Sequence, residues 1–392
     1  VTDLLLAVGL VVAVFVGYNI GGSTTGPAFG PAVGADVISK AVAAALMSVF
    51  FFLGAWTIGR RVVDTLGTEL VGDPGVFTLE ASIVVLLFIG LALFVGNYAG
   101  VPASTSMTAV GSIAGLGVAT GELEWAVMGE IVTWWIVAPV VGFWVSGVIG
   151  RYVYPTLNRW VALHSSEGPL MELDRSGAVP TPTRGPNTSD KELAGASIVI
   201  VIGCVMAFSS GTSNVANAIA PLVGSGELAM NPGIVIGSVA VAVGAFTIAR
   251  RTLDTLGNDI TDLPLTAAIV VATVSSAIVV ALSLLGIPAS FVVIATMSII
   301  GLGWGRATRS VTVHEVRAGE EAPNVSVGAL AADEPGESPP EMGEEDPADI
   351  PSASDLFDPT TTGRVVLMQN VVPLLSTIGA YATFSVLYAV WW

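Results

Sequence analysis

The chain has 392 residues, of which 53% are hydrophobic and only 11% charged, and its mean hydropathy is +0.79. Soluble domains carry roughly 25% charged residues, so this composition excludes a soluble globular enzyme and points to a protein that sits in lipid. The formal net charge is −17, from 31 acids against 14 bases, and no nucleic acid partner is expected.

Val1–Val16 lacks a basic leader and a small-residue cleavage site, so it reads as a first span rather than a signal peptide. A helix needs about 20 apolar residues to cross a bilayer core. Five long apolar segments follow in chain order: Leu4–Tyr18, Ile38–Ile58, Leu79–Tyr98, Thr105–Thr120 and Trp125–Ile149. After the polar connector come five more, at Leu193–Phe208, Gly233–Ala249, Ala267–Leu285, Ser290–Gly303 and Val365–Trp392. The fourth segment of each set is short, and is expected to enter the bilayer as a partial helix. The acids crowd into His314–Pro359, a Pro-rich stretch of low hydrophobicity expected to be disordered. The expected organisation is a first transmembrane repeat (1–150), a cytoplasmic connector (151–192), the first part of a second repeat (193–303), an acidic cytoplasmic insert (304–363) and a last transmembrane helix (364–392).

The chain is a sequence written twice. Ala55–Glu69 (AWTIGRRVVDTLGTE) aligns with Ala245–Asp259 (AFTIARRTLDTLGND) at an offset of 190, with nine of fifteen positions identical. Gly100–Gly117 aligns with Gly286–Gly303 at 186, and Gly17–Pro27 with Gly211–Pro221 at 194. Ordered matches of this kind mark an internal repeat. An odd number of spans per half forces the second half to run upside down, an inverted-topology arrangement common among secondary transporters. Lys and Arg near the span ends favour the cytoplasm. The bases of the connector (Arg151, Arg159, Arg175, Arg184, Lys191) and those flanking the insert (Arg306, Arg309, Arg317, Arg364) therefore place both segments inside and both termini outside, in the cytoplasmic membrane. Arg60 and Arg61 lie within a helical turn of Asp64, as Arg250 and Arg251 do of Asp254, and are expected to form structural ion pairs.

Two segments put Gly, Ser, Thr, Asn and Pro directly after a span: GYNIGGSTTGP (Gly17–Pro27) and GTSNVANAIAP (Gly211–Pro221). Non-helical backbone in hydrocarbon is tolerated only where it is buried in protein or lines a wet cavity. The composition therefore predicts a break in each, with a second half-helix starting near the Pro. Half-helix N-termini at matching positions of two repeats are the best sequence pointer to a transport site. Ser23, Thr24 and Asn217 are the candidate substrate ligands of these segments. VPASTSMT adds Ser104, Thr105 and Ser106 behind Pro102, where Ser and Thr either cap a helix or offer neutral donors to a tetrahedral oxyanion. The second copy keeps Ser290.

Other chemistry is scarce. The single Cys204 permits no internal disulfide. The two His, His164 and His314, stand alone in polar loops, and no metal site is assigned to them. No hydrolase, nucleotide-binding or zinc-protease motif appears, so neither an enzyme nor a bound cofactor is expected.

The residues just quoted resemble the inorganic phosphate transporter (PiT) family of sodium- or proton-coupled phosphate permeases. GTSNVANAIAP and GYNIGGSTTGP match that family's G-x-N-D-x-A-N-x-x-G/A-P, GRRVVDTLG its middle stretch, and VPASTSMT and IPAS its P-V-S-T-T-H. The resemblance covers about residues 4–150 and 193–392. It implies an all-α polytopic membrane protein of two inverted repeats of about five helices each, with broken or re-entrant helices at the site. It also implies secondary transport of inorganic phosphate by alternating access. Sulfate permeation or a passive anion channel are the other readings of the same pore. The family's Asp falls on Ile20 and Asn214, and its His on Met107.

Bringing a dianion in against ~100 mV costs on the order of 4.6 kcal/mol, so accumulation needs a co-transported cation, Na⁺ or H⁺. Neutral oxygens at Asn19, Ser213 and Asn214 are the candidate Na⁺ ligands. Glu130, in the fifth span, is the remaining intramembrane carboxylate. The sequence allows a homodimer and does not require one.

Overall fold

The computed structural model describes residues 2–34, 37–98, 104–154, 156–157, 171–174, 181–184, 190–248, 265–307 and 359–391. His164, His314, the Arg250–Asp254 pairing and most of the acidic insert lie outside them. The elements are α1 (Thr2–Gly34), α2 (Lys40–Thr57), α3 (Gly59–Asp64) with a π-turn over Thr65–Glu69, α4 (Leu79–Tyr98), α5 (Thr105–Thr120) and α6 (Trp125–Val148). Then follow β1 (Met171–Asp174), β2 (Thr181–Arg184), α7 (Asp190–Gly224), α8 (Met230–Thr247), α9 (Leu265–Leu284), α10 (Phe291–Ala307) and α11 (Pro359–Trp391). Eight of these helices are long and apolar enough to cross a membrane. The connector carries an antiparallel β1–β2 pair that its composition did not announce.

Hydropathy places the helices well because each must pair its own backbone groups within the segment. Apolar residues that would be wasted on a soluble surface stay exposed here, such as Ile136, Val140 and Trp144 on α6 and Leu374, Leu375 and Ile378 on α11. α5 and α10, with 16 and 17 residues, rise only about 24–26 Å, short of a bilayer core of about 30 Å.

The expected breaks in α1 and α7 are absent. Both helices run unbroken through the Gly-, Ser- and Asn-rich segments, and Pro221 lies inside α7. The hydroxyls of these segments bond back to carbonyls of their own helix. Ser23 and Thr24 donate to Ile20 O at 3.0 and 2.8 Å, Thr25 to Gly21 O at 2.7 Å, and Thr212 to Ser209 O at 2.7 Å. Such back-bonding keeps Ser and Thr inside a helix. The glycines serve close packing instead. A Cβ on Gly21 would overlap the Val241 carbonyl of α8, and one on Gly211 would overlap the Phe51 carbonyl of α2. Small residues at crossings are how membrane helices approach. The first turn of α5 and the residues leading into α10 are buried against the middle of α7.

The packing maps onto itself when the halves are exchanged. α1 packs on α8 as α7 packs on α2; α5 on α11 as α10 on α6; and α1 on α4 as α7 on α9. The two leading helices run antiparallel, with Gly9 of α1 facing Leu222 and Gly203 of α7 facing Phe29. α1 begins, and α5 and α7 end, at one end of the bundle, where Val71 bridges Leu123 and Gly224 meets Gly67. A π-turn after α6 (Ile149–Val153) and the end of α10 meet at the other end, through Gly150 and Leu302.

Candidate substrate site

α9 rises to Leu284, whose carbonyl accepts from the Arg61 guanidinium. The chain then turns at Gly286, where φ of +80° suits glycine, and runs without helical structure through Ile287–Ser290 into α10. This tip exposes backbone groups that must find partners. Ser213 of α7 donates to Ala289 O at 3.0 Å and accepts from Ala289 N at 3.1 Å. Ser106 of α5 donates to the same carbonyl at 3.0 Å and lies 3.2 Å from the Ser213 hydroxyl. Trp135 of α6 donates its indole N–H to Pro288 O at 2.9 Å. Three helices from both halves thus hold one tip.

Beside it, Asn214 Oδ1 accepts from the Thr105 hydroxyl and from Asn217 Nδ2 at 3.1 Å, and the Ser106 oxygen lies 3.4 Å away. Its Nδ2 donates to Ser210 Oγ at 3.0 Å. Asn217 is fully buried, and its Oδ1 has no hydrogen-bond partner. Orphaned buried acceptors are rare and call for an explanation.

A small cavity of about 20 Å³ opens against this cluster, lined by Ser23, Thr24, Pro27 and Ala28 of α1, Thr105 of α5, Met206, Ser210 and Asn214 of α7, and Ser290, Phe291 and Val292 at the start of α10. Of the predicted substrate residues, Ser23, Thr24, Thr105 and Ser290 line it. Ser104, Ser106 and Asn217 do not. Ser104 caps α5, accepting from Met107 N at 3.3 Å. Ser106 and Asn217 are 0% exposed, against 7% for Thr105 and Ser290. Of the predicted cation residues, Ser213 and Asn214 join the cluster. Asn19 is engaged elsewhere: it donates to Phe15 O at 2.8 Å and accepts from Asn97 Nδ2 at 3.0 Å. Glu130 is exposed on α6 and lines neither this cavity nor its neighbour.

Sequence reasoning missed Ser210, Asn97 and Trp135. Asn97 had a usable signal. At the offset of 186 it matches Ser283, whose hydroxyl oxygen lies 3.0 Å from Thr212 Oγ1 and accepts from it, so each half ties its leading helix to the last turn of α4 or α9. A smaller cavity, lined by Met107, Trp134, Trp135 and Ile294 among others, lies on the other side of Ser290.

The Arg60–Asp64 ion pair is not formed. Arg60 sits 4.5 Å over the Trp56 ring and donates to Trp56 O at 2.8 Å. Burial and the nearby Glu69 raise the Asp64 carboxyl above its ordinary pKa, while Arg60 lowers it. Among the described residues no His, Cys, Asp or Glu group could hold a metal ion.

A polytopic bundle in which two short helices begin in mid-bundle, beside a polar cavity shared between duplicated halves, has the architecture of a membrane transporter. The sequence pattern of the phosphate transporter family matches residues 20–319, and the chain belongs to that family. The sulfate permease CysP of Bacillus subtilis is 29% identical over 267 residues, covering 68% of each chain. A "Putative phosphate permease" of Chlamydia trachomatis is 23% identical, covering 70% of this chain and 84% of its own. A solved structure, the sodium-dependent phosphate transporter, superposes with a TM-score of 0.66 at 17% identity, over 98% of this chain and 99% of that one. It shares the fold.

Proposed function

We propose that the protein is a secondary transporter that carries a tetrahedral oxyanion, inorganic phosphate or sulfate, across the cytoplasmic membrane by alternating access. The observation that carries this reading is the cavity at the α5 and α10 N-termini, where hydroxyls from both halves converge without a charged side chain. Helix N-termini and neutral donors hold an anion and still release it. The family supports phosphate, and the named activity of the Bacillus subtilis relative supports sulfate.

The repeats are taken to be inverted, with both chain termini outside and the connector and acidic insert in the cytoplasm. The antiparallel α1 and α7 support that reading. Co-transport of Na⁺ is supported by the buried, unpartnered Asn217 Oδ1, a neutral oxygen of the kind hard cations take. A proton is the other coupling ion open to test.

Proteoliposomes loaded with labelled phosphate or sulfate under imposed Na⁺ or H⁺ gradients test the proposal. Uphill accumulation of either anion, driven by one of the gradients, is the expected result. Uptake that only dissipates an existing anion gradient would make the protein a channel, and no uptake at all would end the transport reading.

A further inference from the structure

The cavity of about 20 Å³ admits a water molecule but no tetrahedral oxyanion, so a wall must move before the site fills. The α1 and α7 walls belong to helices packed backbone to backbone on α8 and α2. The tip at Ile287–Ser290 is the looser wall. It has no helical structure, and its Ser290 lines both this cavity and the one behind it. It also lies across the approach from one side. Ala289 joins Ser213 and Ser106 toward the end of the bundle where α7 stops and Glu124 meets Leu70. The cavity reaches the other way along α7, through Ser210 to Met206.

The tip is held from behind by Trp135, whose indole N–H donates to Pro288 O at 2.9 Å. Trp135 has a counterpart in the other half. It stands four residues before Pro139 of α6, as Gln369 stands four before Pro373 of α11. The packing keeps the same register. Gly301 lies against the carbonyl of Phe143, four past the first proline, and Gly115 against that of Thr377, four past the second. Those two glycines match at the offset of 186. Gln369 is only 4% exposed, yet its Nε2 has no hydrogen-bond partner among the described residues. An orphaned buried donor calls for an explanation. The matched donors are caught unequal, one engaged and one idle.

Resting on the transporter reading above, we propose that Trp135 and Gln369 are a matched pair of positioning residues that act as alternating latches. Trp135 holds its tip shut in the state described, and Gln369 makes its bond in the opposite state. Duplicated halves give alternating access by trading arrangements, so the donor idle in one state is the one engaged in the other. Neither residue touches the anion. Each weights the equilibrium between a shut and an open tip.

The test reads access rather than uptake. In a Cys204→Ser background, Met206→Cys places a thiol in the cavity wall, and a small charged methanethiosulfonate is applied from the side that carries Glu124. Trp135→Phe removes the N–H and keeps an aromatic ring. It is expected to speed labelling about fivefold, the worth of one net hydrogen bond. Gln369→Leu removes the latch of the opposite state and is expected to slow labelling about fivefold. Opposite signs are the signature, since a general loosening of the fold would speed both. Changes in the same direction, or no change in one of the two, overturn the pairing. A Gln369→Leu protein that melts higher with its labelling unchanged is such a case, the behaviour of a buried amide with no second state to serve. Should Trp135→Phe not fold, Arg61→Gln takes its place: it frees the same tip at Leu284 O and is held to the same acceleration. Labelling needs no anion to move, so a protein that carries neither phosphate nor sulfate fails the transporter reading separately.

Discussion

Ser213 both donates to and accepts from Ala289, so its removal strands a buried N–H and weakens the hold on a carbonyl in one step. Ser213→Ala is expected to cost about 1–3 kcal/mol, seen as a lower melting temperature in detergent, and to depress uptake through a loosened tip. The hydroxyls ahead of α5 divide in the same manner. Ser104→Ala removes a cap and should cost about 1 kcal/mol of stability with KM for the anion unchanged. Thr105→Ala, at the cavity wall, should raise KM with little change in melting. Kinetics and melting curves on the pair separate capping from binding, and equal KM effects from both would refute the assignment. These distinctions were beyond composition. Ser104, Thr105 and Ser106 are adjacent and chemically alike, and only the rotation of α5 turns Thr105 toward the cavity and seals Ser106 against Ala289.

At the scale of elements, crossings without side chains set the geometry. α2 meets α7 through Gly54 against Phe208 and Gly211 against Phe51. Gly54→Ala or Gly211→Ala must push two backbones apart and is expected to cost about 1–3 kcal/mol, broadening the elution profile and lowering the melting temperature. Gly129→Ala on exposed α6 meets nothing within 4 Å and should stay within about 1 kcal/mol of wild type. Helix positions were legible in the sequence: Leu79–Tyr98 and Thr105–Thr120 begin and end where the hydropathy does. The continuity of α1 and α7 was not. A Gly-, Ser- and Pro-rich segment reads the same whether its polar groups line a break or fold back on their own helix. The neighbours decide, and α8 and α2 come from the opposite half of the chain.

For the whole molecule, the single cysteine gives a clean handle. Cys204 is buried, so a Cys204→Ser background carrying Glu124→Cys or Thr156→Cys presents one exposed thiol at each end of the bundle. In intact cells an impermeant maleimide is expected to label position 124 from outside and position 156 only after the membrane is opened. The reverse pattern would invert the proposed orientation. The duplication was legible from three aligned blocks, and the exchange symmetry of the packing agrees with it. The interleaving of the halves was not, since offsets record likeness between α1 and α7 and say nothing of α1 lying against α8.

That interleaving bears on how the protein is made. α5 carries Thr105, Ser106, Thr108 and Ser112, all buried in the finished fold, and its Gly111 and Gly115 are covered by Thr377, Ala380 and Tyr381 of α11. Chains are synthesised N-terminus first, so α5 enters the membrane while its cover is still untranslated. Until then it has α4, through the Ser112 hydroxyl on Val85 O at 3.2 Å, and later α7, through Thr105 and Ser106. A chain halted before Pro359 leaves that small-residue face bare to lipid, an unfinished surface for membrane proteases and chaperones to recognise. Synthesis of α11 thereby closes the small-residue face of α5.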